Sequence, residues 1–492
     1  MSSNYTITNS YGAFPDRSVC RVSQVVYPAT EQELISAVAT ATTRKMKMKV
    51  ITRFSHSIPK LVWPEGGYGL LVSTKFLNQT VEIDTLSMMM TPCLTRLYWW
   101  GLTVGGVLGI GAHGSTPAVH DYVGQFRIVT PARPKEGYAV GRTLADGDPE
   151  LDTARVSLGV LGVLSQVTLR LQPLFKRSIS YVLKDDLDLG DQVVYRIDDS
   201  VSTHVSGNGL HDFSGFRPTP SLALAIFRSS EETQELTEDA AGKCVSRKLT
   251  TSTPRDFAYG LTNDAVVFTG HPVVGYHNRL QSSGPYLHSL EDALLTGCPW
   301  DPRVKGIFFH QTAFSIAFSH VKSFIHDIQK LVQQELQSLF GLDLYNGILM
   351  RDTVEFDFSY YRSKDPLKLR LYEYIMEDIE QIGLLKYGGA PHWGKNRNLA
   401  FDGAVHKYEK ARELLKVKSK FDPSGLFSSE WTDLVPGLKG GVEVVKEGCA
   451  IEGLCVRSKD LHCAPSRSYY CRPGNVYPDA RVCTRLTFPK TP

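Results

Sequence analysis

The sequence predicts an α+β fold, and three observations carry that expectation. Short strands and amphipathic helices are interleaved over the first 440 residues, glycines crowd into two runs in the first third, and five of the nine cysteines fall in the last 44 residues. A chain of 492 residues is long enough for two or three domains, each with its own core. The balance of 42% hydrophobic and 21% charged residues is that of a folded globular chain and not of a disordered one. A net charge of +3 lacks the basic excess of a nucleic-acid binder, so no nucleic acid is expected as a partner.

The elements follow in order. Residues 21–27 are β-branched and aromatic and predict a strand, closed by Pro28. Thr30 and Glu33 form a capping box, and Leu34, Ile35, Val38 and Ala41 continue it as a helical stripe. The period then changes to two: Met46, Met48 and Val50 alternate with Lys45, Lys47 and Lys49, a strand with one face buried. Short strands are expected at 70–73, 81–84 and 88–91. The run from Gly101 to Gly114 holds six glycines in fourteen residues, too many for a good helix or central strand, and predicts a tight turn with exposed backbone. Gly159 and Gly162 precede an alternating strand at 167–171, and Pro173 closes the first domain. Further on, Ser319 is placed to cap a helix carrying Val321, Phe324, Ile325, Ile328, Leu331 and Val332 on one side. Asp365-Pro366 starts another through Leu371, Ile375 and Ile379, with a strand at 353–362 between them. Three domains are expected: 1–175, 176–440 and a cysteine-rich tail at 441–492.

No stretch offers the ~20 apolar residues of a membrane-crossing helix, and residues 1–8 show no apolar leader core. The tail points the other way. Neighbouring cysteines there are separated by 5, 7, 7 and 11 residues, with no C-x-x-C pair. That pattern argues for disulfides formed in an oxidising compartment and against zinc. The sequons Asn4-Tyr5-Thr6 and Asn78-Gln79-Thr80 lean the same way.

Two glycine-rich segments in one domain suit a diphosphate lying against bare backbone N–H groups, although tight packing explains glycines equally well. Their spacing is neither a dinucleotide-binding fingerprint nor a Walker loop. His56, between Ser55 and Ser57, reads either as a hydrogen-bonded loop histidine or as a ligand contact. His392-Trp393-Gly394-Lys395, after Gly388-Gly389-Ala390-Pro391, sets an imidazole, an indole and an ammonium on a Gly/Pro-shaped loop that can orient a planar ligand. Arg351, beside the Phe356–Phe358 strand, is a solvated or ion-paired residue or a cation for a ligand. His113 either polarises a ligand or packs.

These residues, taken in order, resemble the plant L-gulono-1,4-lactone oxidase-like flavoproteins, aldonolactone oxidases with the vanillyl-alcohol-oxidase/PCMH-type FAD-binding fold. The resemblance runs through Tyr11-Gly12-Ala13-Phe14-Pro15-Asp16-Arg17, Ser55-His56-Ser57-Ile58-Pro59-Lys60 and Tyr98-Trp99-Trp100-Gly101-Leu102-Thr103-Val104-Gly105-Gly106. It continues through Gly111-Ala112-His113-Gly114-Ser115, the 156–163 segment, Pro391-His392-Trp393-Gly394-Lys395 and Phe421-Asp422-Pro423. It implies a two-subdomain FAD-binding domain, an α+β cap for the substrate, and the disulfide tail. It also implies FAD as cofactor, with His56 at the position that in several members of the family is the covalent attachment point of the flavin. Ser55, Ser57, Gly105, Gly106, Gly109, Gly111, His113, Gly114, Ser115, Ser157, Gly159, Gly162 and Val163 would line the cofactor. In the cap, Lys395 and Arg351 would offset negative charge as the flavin is reduced, and His392 would orient or deprotonate the sugar hydroxyl. The implied reaction oxidises a small sugar lactone with O2 as acceptor, gives H2O2, and serves ascorbate formation.

Some positions depart from the family. Leu349 stands where related lactone and alditol oxidases place a glutamate, which favours another lactone or an alditol as substrate. Only residues 92–97 remain where a longer flavin-facing segment is normal, and further blocks look missing after Ser115, near 192–194 and at 351–354. Tyr5, Trp63 and Arg457 occupy expected cysteine positions. These gaps read as losses from a complete ancestor, and they favour a third reading, a non-catalytic secreted homologue. A secretory or extracellular location is expected from the family and the tail, and peripheral membrane association stays open.

Overall fold

The computed structural model describes residues 5–7, 20–51, 59–64, 68–77, 82–91, 103–112, 119–171, 173, 176–185, 209–217, 224–233, 262–263, 266–267, 273–276, 309–335, 348–350, 355–361, 373–434, 446–451, 455 and 459–486. It divides into two compact units, 1–173 with 401–442 and 174–400 with 443–492. This division differs from the expected domains in two places. Residues 401–440, assigned to the cap, fall in the first unit, and the tail is not a unit of its own.

In the first unit, β1 (Tyr5–Ile7) pairs with β2 (Cys20–Val22). A βαβ arrangement follows. Strands β3 (Gln24–Val26), β4 (Met48–Ile51) and β5 (Leu70–Ser73) make a parallel sheet in the order β3-β5-β4. Between β3 and β4 lies α1 (Glu31–Thr43), where Thr30 Oγ1 accepts the Glu33 amide at 3.2 Å and Glu33 reaches back to the Ala29 amide at 2.9 Å. Leu34, Val38 and Ala41 bury the predicted stripe. Strands β6 (Glu82–Asp84) and β7 (Met89–Thr91) open a second, antiparallel sheet.

The glycine run then departs from expectation. Residues Val104–Ile110 form a helix, α2, and not a turn. Val104, Val107 and Leu108 are buried at helical spacing, Thr103 caps the start, and Gly111 closes it at φ 64°. Apolar anchoring outweighs the propensity cost of about 1 kcal/mol per glycine. Strands β8 (Val123–Pro131) and β9 (Ala139–Ala145), helix α3 (Pro149–Ala154) and strand β10 (Val163–Arg170) complete the sheet, ordered β6-β7-β10-β8-β9.

The segment after residue 400 belongs here because it caps β4. The Met48 amide donates to Leu426 O at 2.7 Å, and Lys47 Nζ donates to Gly425 O at 2.8 Å. Asp422 shapes that turn by accepting the amides of Leu426 and Phe427 at 2.8 and 2.7 Å. Under this cover Lys49 is buried, against the alternation that put lysines on the open face.

The second unit is built on an eight-stranded sheet. Its strands are β11 (Lys176–Asp185), β12 (Gly209–Arg217), β13 (Leu224–Thr233), β16 (Val273–Tyr276), β17 (Phe309–Ser315), β18 (Ile348–Met350), β19 (Glu355–Tyr361) and β20 (Ala390–Pro391). They are ordered β16-β11-β13-β12-β18-β19-β17-β20, and a small hairpin, β14 (Thr262–Asn263) with β15 (Val266–Val267), stands apart. Helix α4 (Val321–Gln334) packs Phe324, Ile325 and Ile328 against Phe314 and Phe356. The Phe324 and Phe356 rings are 4.4 Å apart. Ser319 lies inside the short 3-10 turn Phe318–His320 ahead of α4, so it is not the cap.

Helix α5 (Glu373–Gln381) adds Ile375 and Ile379 to the same core, as expected from their spacing. Its predicted start at Asp365-Pro366 and Leu371 lie outside the described residues. The tail folds as a hairpin of β21 (Tyr469–Pro473) and β22 (Arg481–Arg485). Disulfides Cys449–Cys455 and Cys463–Cys483 hold it. Among the described residues no helix is long and apolar enough to cross a membrane, and no group of side chains is arranged to hold a metal ion.

Candidate active site

The candidate residues lie in both units, and each set is taken by itself. His56 with Ser55 and Ser57, the His113-Gly114-Ser115 segment, and Arg351 lie outside the described residues. So does most of the region where deletions are expected.

In the first unit the structure brings the two glycine segments together. The Leu158 amide donates to Gly109 O at 2.8 Å, and a Cβ on Gly111 would come within 3.2 Å of Val156. The glycines have different jobs. Gly105 and Gly109 sit one turn apart on a single face of α2, and no described atom comes within 4 Å of the place where a Cβ would be. They leave a strip of bare helix backbone. Gly159, at φ 65°, follows Leu158 at φ 50°, so two successive left-handed residues turn the chain beside that strip. Ser157 is buried, and its carbonyl accepts the Val160 amide at 3.0 Å.

Gly162 and Val163 serve packing instead. Gly162 has φ 146°, and a side chain there would run into the Val129 carbonyl, while Val163 is fully buried opposite Val129 in the sheet. Gly106 abuts its own cap, Thr103, whose Oγ1 accepts the Gly106 amide at 3.1 Å. Gly105, Gly109 and Gly159 therefore fit an extended cofactor lying flat against backbone, because no side chain among the described residues fills the space left by their missing Cβ atoms.

In the second unit the loop after β20 is fastened at both ends. The His392 amide donates to Ala313 O at 2.9 Å, continuing the β17–β20 pairing. Asn396, with no exposed surface, accepts the Ala313 amide at 2.7 Å and the Thr312 hydroxyl at 2.6 Å through Oδ1. Its Nδ2 donates to Ala313 O and to His392 O, the latter at 3.0 Å. Arg397, also buried, donates through Nη1 to Glu373 and Glu377 at 3.2 and 3.3 Å and through Nη2 to Glu380. Between these anchors His392, Trp393, Gly394 and Lys395 are half-buried. His392 Nδ1 accepts the Gly394 amide at 3.0 Å, so the proton of the neutral ring sits on Nε2. The loop presents a hydrogen-bond donor and an ammonium on a rigid backbone.

Asn396 and Arg397, the residues that hold the loop, went unnoticed in the sequence. Their immediate adjacency to Lys395 was the available signal. Leu349 is placed opposite Asp357 in the β18–β19 ladder.

Comparison with known proteins identifies the family. Residues 346–435 match the family described as D-arabinono-1,4-lactone oxidase, and residues 446–485 match the one described as L-gulonolactone oxidase 2-like, C-terminal domain. The chain is 54% identical to "Probable L-gulonolactone oxidase 6" of Arabidopsis thaliana, with 98% of this chain and 90% of that one covered. It is 52% identical to "L-gulonolactone oxidase 2" of the same plant, over 99% and 92%. The first alignment runs over 544 positions, so at least 52 of them face gaps in these 492 residues. Among solved structures a solvent-stable cholesterol oxidase superposes with a TM-score of 0.63 at 12% identity, over 87% of this chain and 97% of that one. This last likeness bears on the fold alone, a mixed architecture of α+β class.

Proposed function

Because the chain belongs to the L-gulonolactone oxidase family, we propose that it oxidises an aldonolactone of the L-gulono-1,4-lactone type, with O2 as acceptor and H2O2 as by-product. FAD is the cofactor, and when bound it supplies the hydride acceptor for the substrate's carbinol carbon. The implied physiological role is ascorbate formation. One observation carries the reading: a full-length relationship at 54% identity in which the His392–Lys395 loop stands pinned on the sheet edge.

On this reading the residues take the following roles. Gly105, Gly109 and Gly159 offer bare backbone to the extended part of the cofactor, with Gly111 and Ser157 shaping the two segments. His392, with Nδ1 engaged by the Gly394 amide, meets a substrate hydroxyl as a donor through Nε2. Of the two roles expected for it, this favours orienting the hydroxyl over deprotonating it. Lys395 supplies a fixed cation where negative charge develops. Arg351 is proposed as a second such cation. His56, with Ser55 and Ser57, and the His113-Gly114-Ser115 segment complete the cofactor site in this proposal. A flavin that stays with the denatured wild-type chain and leaves a His56→Ala variant supports the covalent link; release from both refutes it.

The test of function is direct. Purified protein should show flavin absorbance near ~450 nm and release H2O2 on addition of L-gulono-1,4-lactone. Protein that shows the flavin but spares this lactone would move the assignment to another lactone or an alditol, the reading that Leu349 favours. A chain that purifies without flavin under conditions that load a relative is no oxidase. The two disulfides support maturation in an oxidising compartment, and we place the protein in the secretory pathway.

A further inference from the structure

Helix α5 is unusual in what it buries. Glu373, Glu377, Asp378, Glu380 and Gln381 are each at most 4% exposed. Polar side chains removed from water must find partners inside the protein, and these find them in two directions. Glu373, Glu377 and Glu380 hold Arg397, and the Thr312 hydroxyl lies 3.2 Å from Glu380. On the other side the partners are backbone groups of the tail. Asp378 Oδ2 accepts the Asn475 and Val476 amides at 2.7 and 3.0 Å. Gln381 exchanges two hydrogen bonds with the backbone of Arg481, at 3.0 and 2.8 Å. Glu377 belongs to both sets: Oε1 takes Arg397, and Oε2 takes the Cys483 amide at 2.7 Å.

We propose that the disulfide tail is a positioning element for the His392–Lys395 loop, acting through α5 and Arg397. The proposal rests on the reading of that loop as the substrate-facing part of the oxidase. The chain of contacts is continuous. Cys463–Cys483 and the β21–β22 ladder fix the Cys483 amide, which fixes the Glu377 carboxylate. That carboxylate orients the Arg397 guanidinium, two residues beyond Lys395, and Asn396 between them ties the same stretch to β17. With the tail detached, Asp378, Gln381 and half of Glu377 would have to be satisfied by water. The α5 face would then reopen and Arg397 would lose one of its three fixed acceptors. Displacing a catalytic group by an ångström costs on the order of 100-fold in rate, so the loop feels the tail without touching it. Residues 446–485 are thus part of the active-site support and not a partner-binding appendage.

Hydrogen exchange on the full-length protein tests this, because it needs no substrate. Three loop amides, those of His392, Gly394 and Lys395, are engaged in wild type. In the Cys463→Ser/Cys483→Ser double variant their exchange should accelerate at least about tenfold, while strands β8 and β9 of the first unit keep wild-type protection. Unchanged exchange across 390–397 in a variant whose tail amides have lost protection overturns the proposal.

Should the double variant also lose protection throughout β17 and β19, the second unit has unfolded and two milder changes decide. Arg397→Lys keeps the charge without the fork, and Glu377→Gln keeps the size without the charge. Each should speed loop exchange while β17 and β19 stay protected, and wild-type loop exchange in both overturns the coupling. In enzyme that turns over, Arg397→Lys should lower kcat more than it raises KM. Coupled exchange in a protein that never oxidises a lactone would leave the positioning role standing and remove the functional reading alone.

Discussion

The backbone amide of Cys483 donates to Glu377 across 106 residues of sequence, and the carboxylate that receives it also holds Arg397. Glu377→Ala removes both bonds at once, leaving a buried amide and a buried guanidinium each short of an acceptor. Breaking one side of a buried charged pair costs about 3–5 kcal/mol. Denaturant unfolding followed by near-UV signals of the second unit should show a loss in that range, and a loss below ~0.5 kcal/mol would show that the tail and α5 are energetically separate.

Gly474 lies where the tail packs closely on α5. A Cβ there would overlap Asp378 Oδ1 and the Tyr477 carbonyl. Gly474→Ala should therefore push β21 and α5 apart and cost about 1–3 kcal/mol, the usual penalty of forcing extra volume into a packed site. Gly388→Ala, where φ is 66° but the space is open, should cost about 1 kcal/mol from backbone strain alone. A melting series ranks the two, with Gly474→Ala the lower.

Lys49 sets a pH dependence in the first unit. Burial pushes its ammonium down to about 7, against the favourable pull of Asp433 and Asp422. Its Nζ has no hydrogen-bond partner among the described residues. An unfolded lysine holds its proton up to about 10.4, so between that value and about 7 the unfolded chain binds more protons than the folded one. Stability therefore rises with pH across this window, with a limiting slope of about 1.4 kcal/mol per pH unit, and the full penalty applies below it. Lys49→Met should be more stable than wild type at pH 6, and the advantage should shrink as the pH is raised towards 10. A constant difference across that range would mean that Lys49 does not titrate as its burial demands.

The glycine strip can be tested apart from stability. Among the described residues Gly105→Ala and Gly109→Ala meet no neighbouring side chain, and they replace helix-interior glycines, so each should raise the melting temperature of flavin-free protein by a gain of up to ~1 kcal/mol. The same methyls would stand in the proposed cofactor's place. Lower flavin content in a more stable protein is the expected pair of results. Full flavin content in both variants would take the strip out of the site.

Where sequence reading succeeded, the signal was local. Thr30, Glu33 and the stripe Leu34–Val38–Ala41 announce α1 by themselves, and the Phe356–Phe358 alternation announces β19. The His392–Lys395 loop drew notice as a candidate because three unusual side chains stand together. Two of the three misses share a physical cause, partners that are far away in the chain. Glycine count hid α2 because the buried Val104, Val107 and Leu108 decide it. Lysine alternation placed Lys49 outward because the covering turn at 422–427 lies more than 370 residues on. The carboxylates of α5 find backbone amides as partners, and backbone amides leave no trace in composition.

That remoteness has a consequence for how the protein is made. The Lys47 ammonium reaches the Gly425 carbonyl across 378 positions, so β4 of the first unit waits for its cover until almost the whole polypeptide has been synthesised. At roughly 5–20 residues per second, that wait lasts tens of seconds, during which the apolar edge of the parallel sheet stands open on a nascent chain. The second unit is interrupted in the same way, with α5 complete long before the amide of Cys483 exists. The first unit cannot close until its 401–442 segment is made, nor the second until the tail follows, so the first unit cannot be produced by stopping translation at its apparent boundary. A ribosome-bound chain halted at residue 400 should remain a client of holding chaperones, whereas one released past residue 485 should bury both sets of acceptors and escape them.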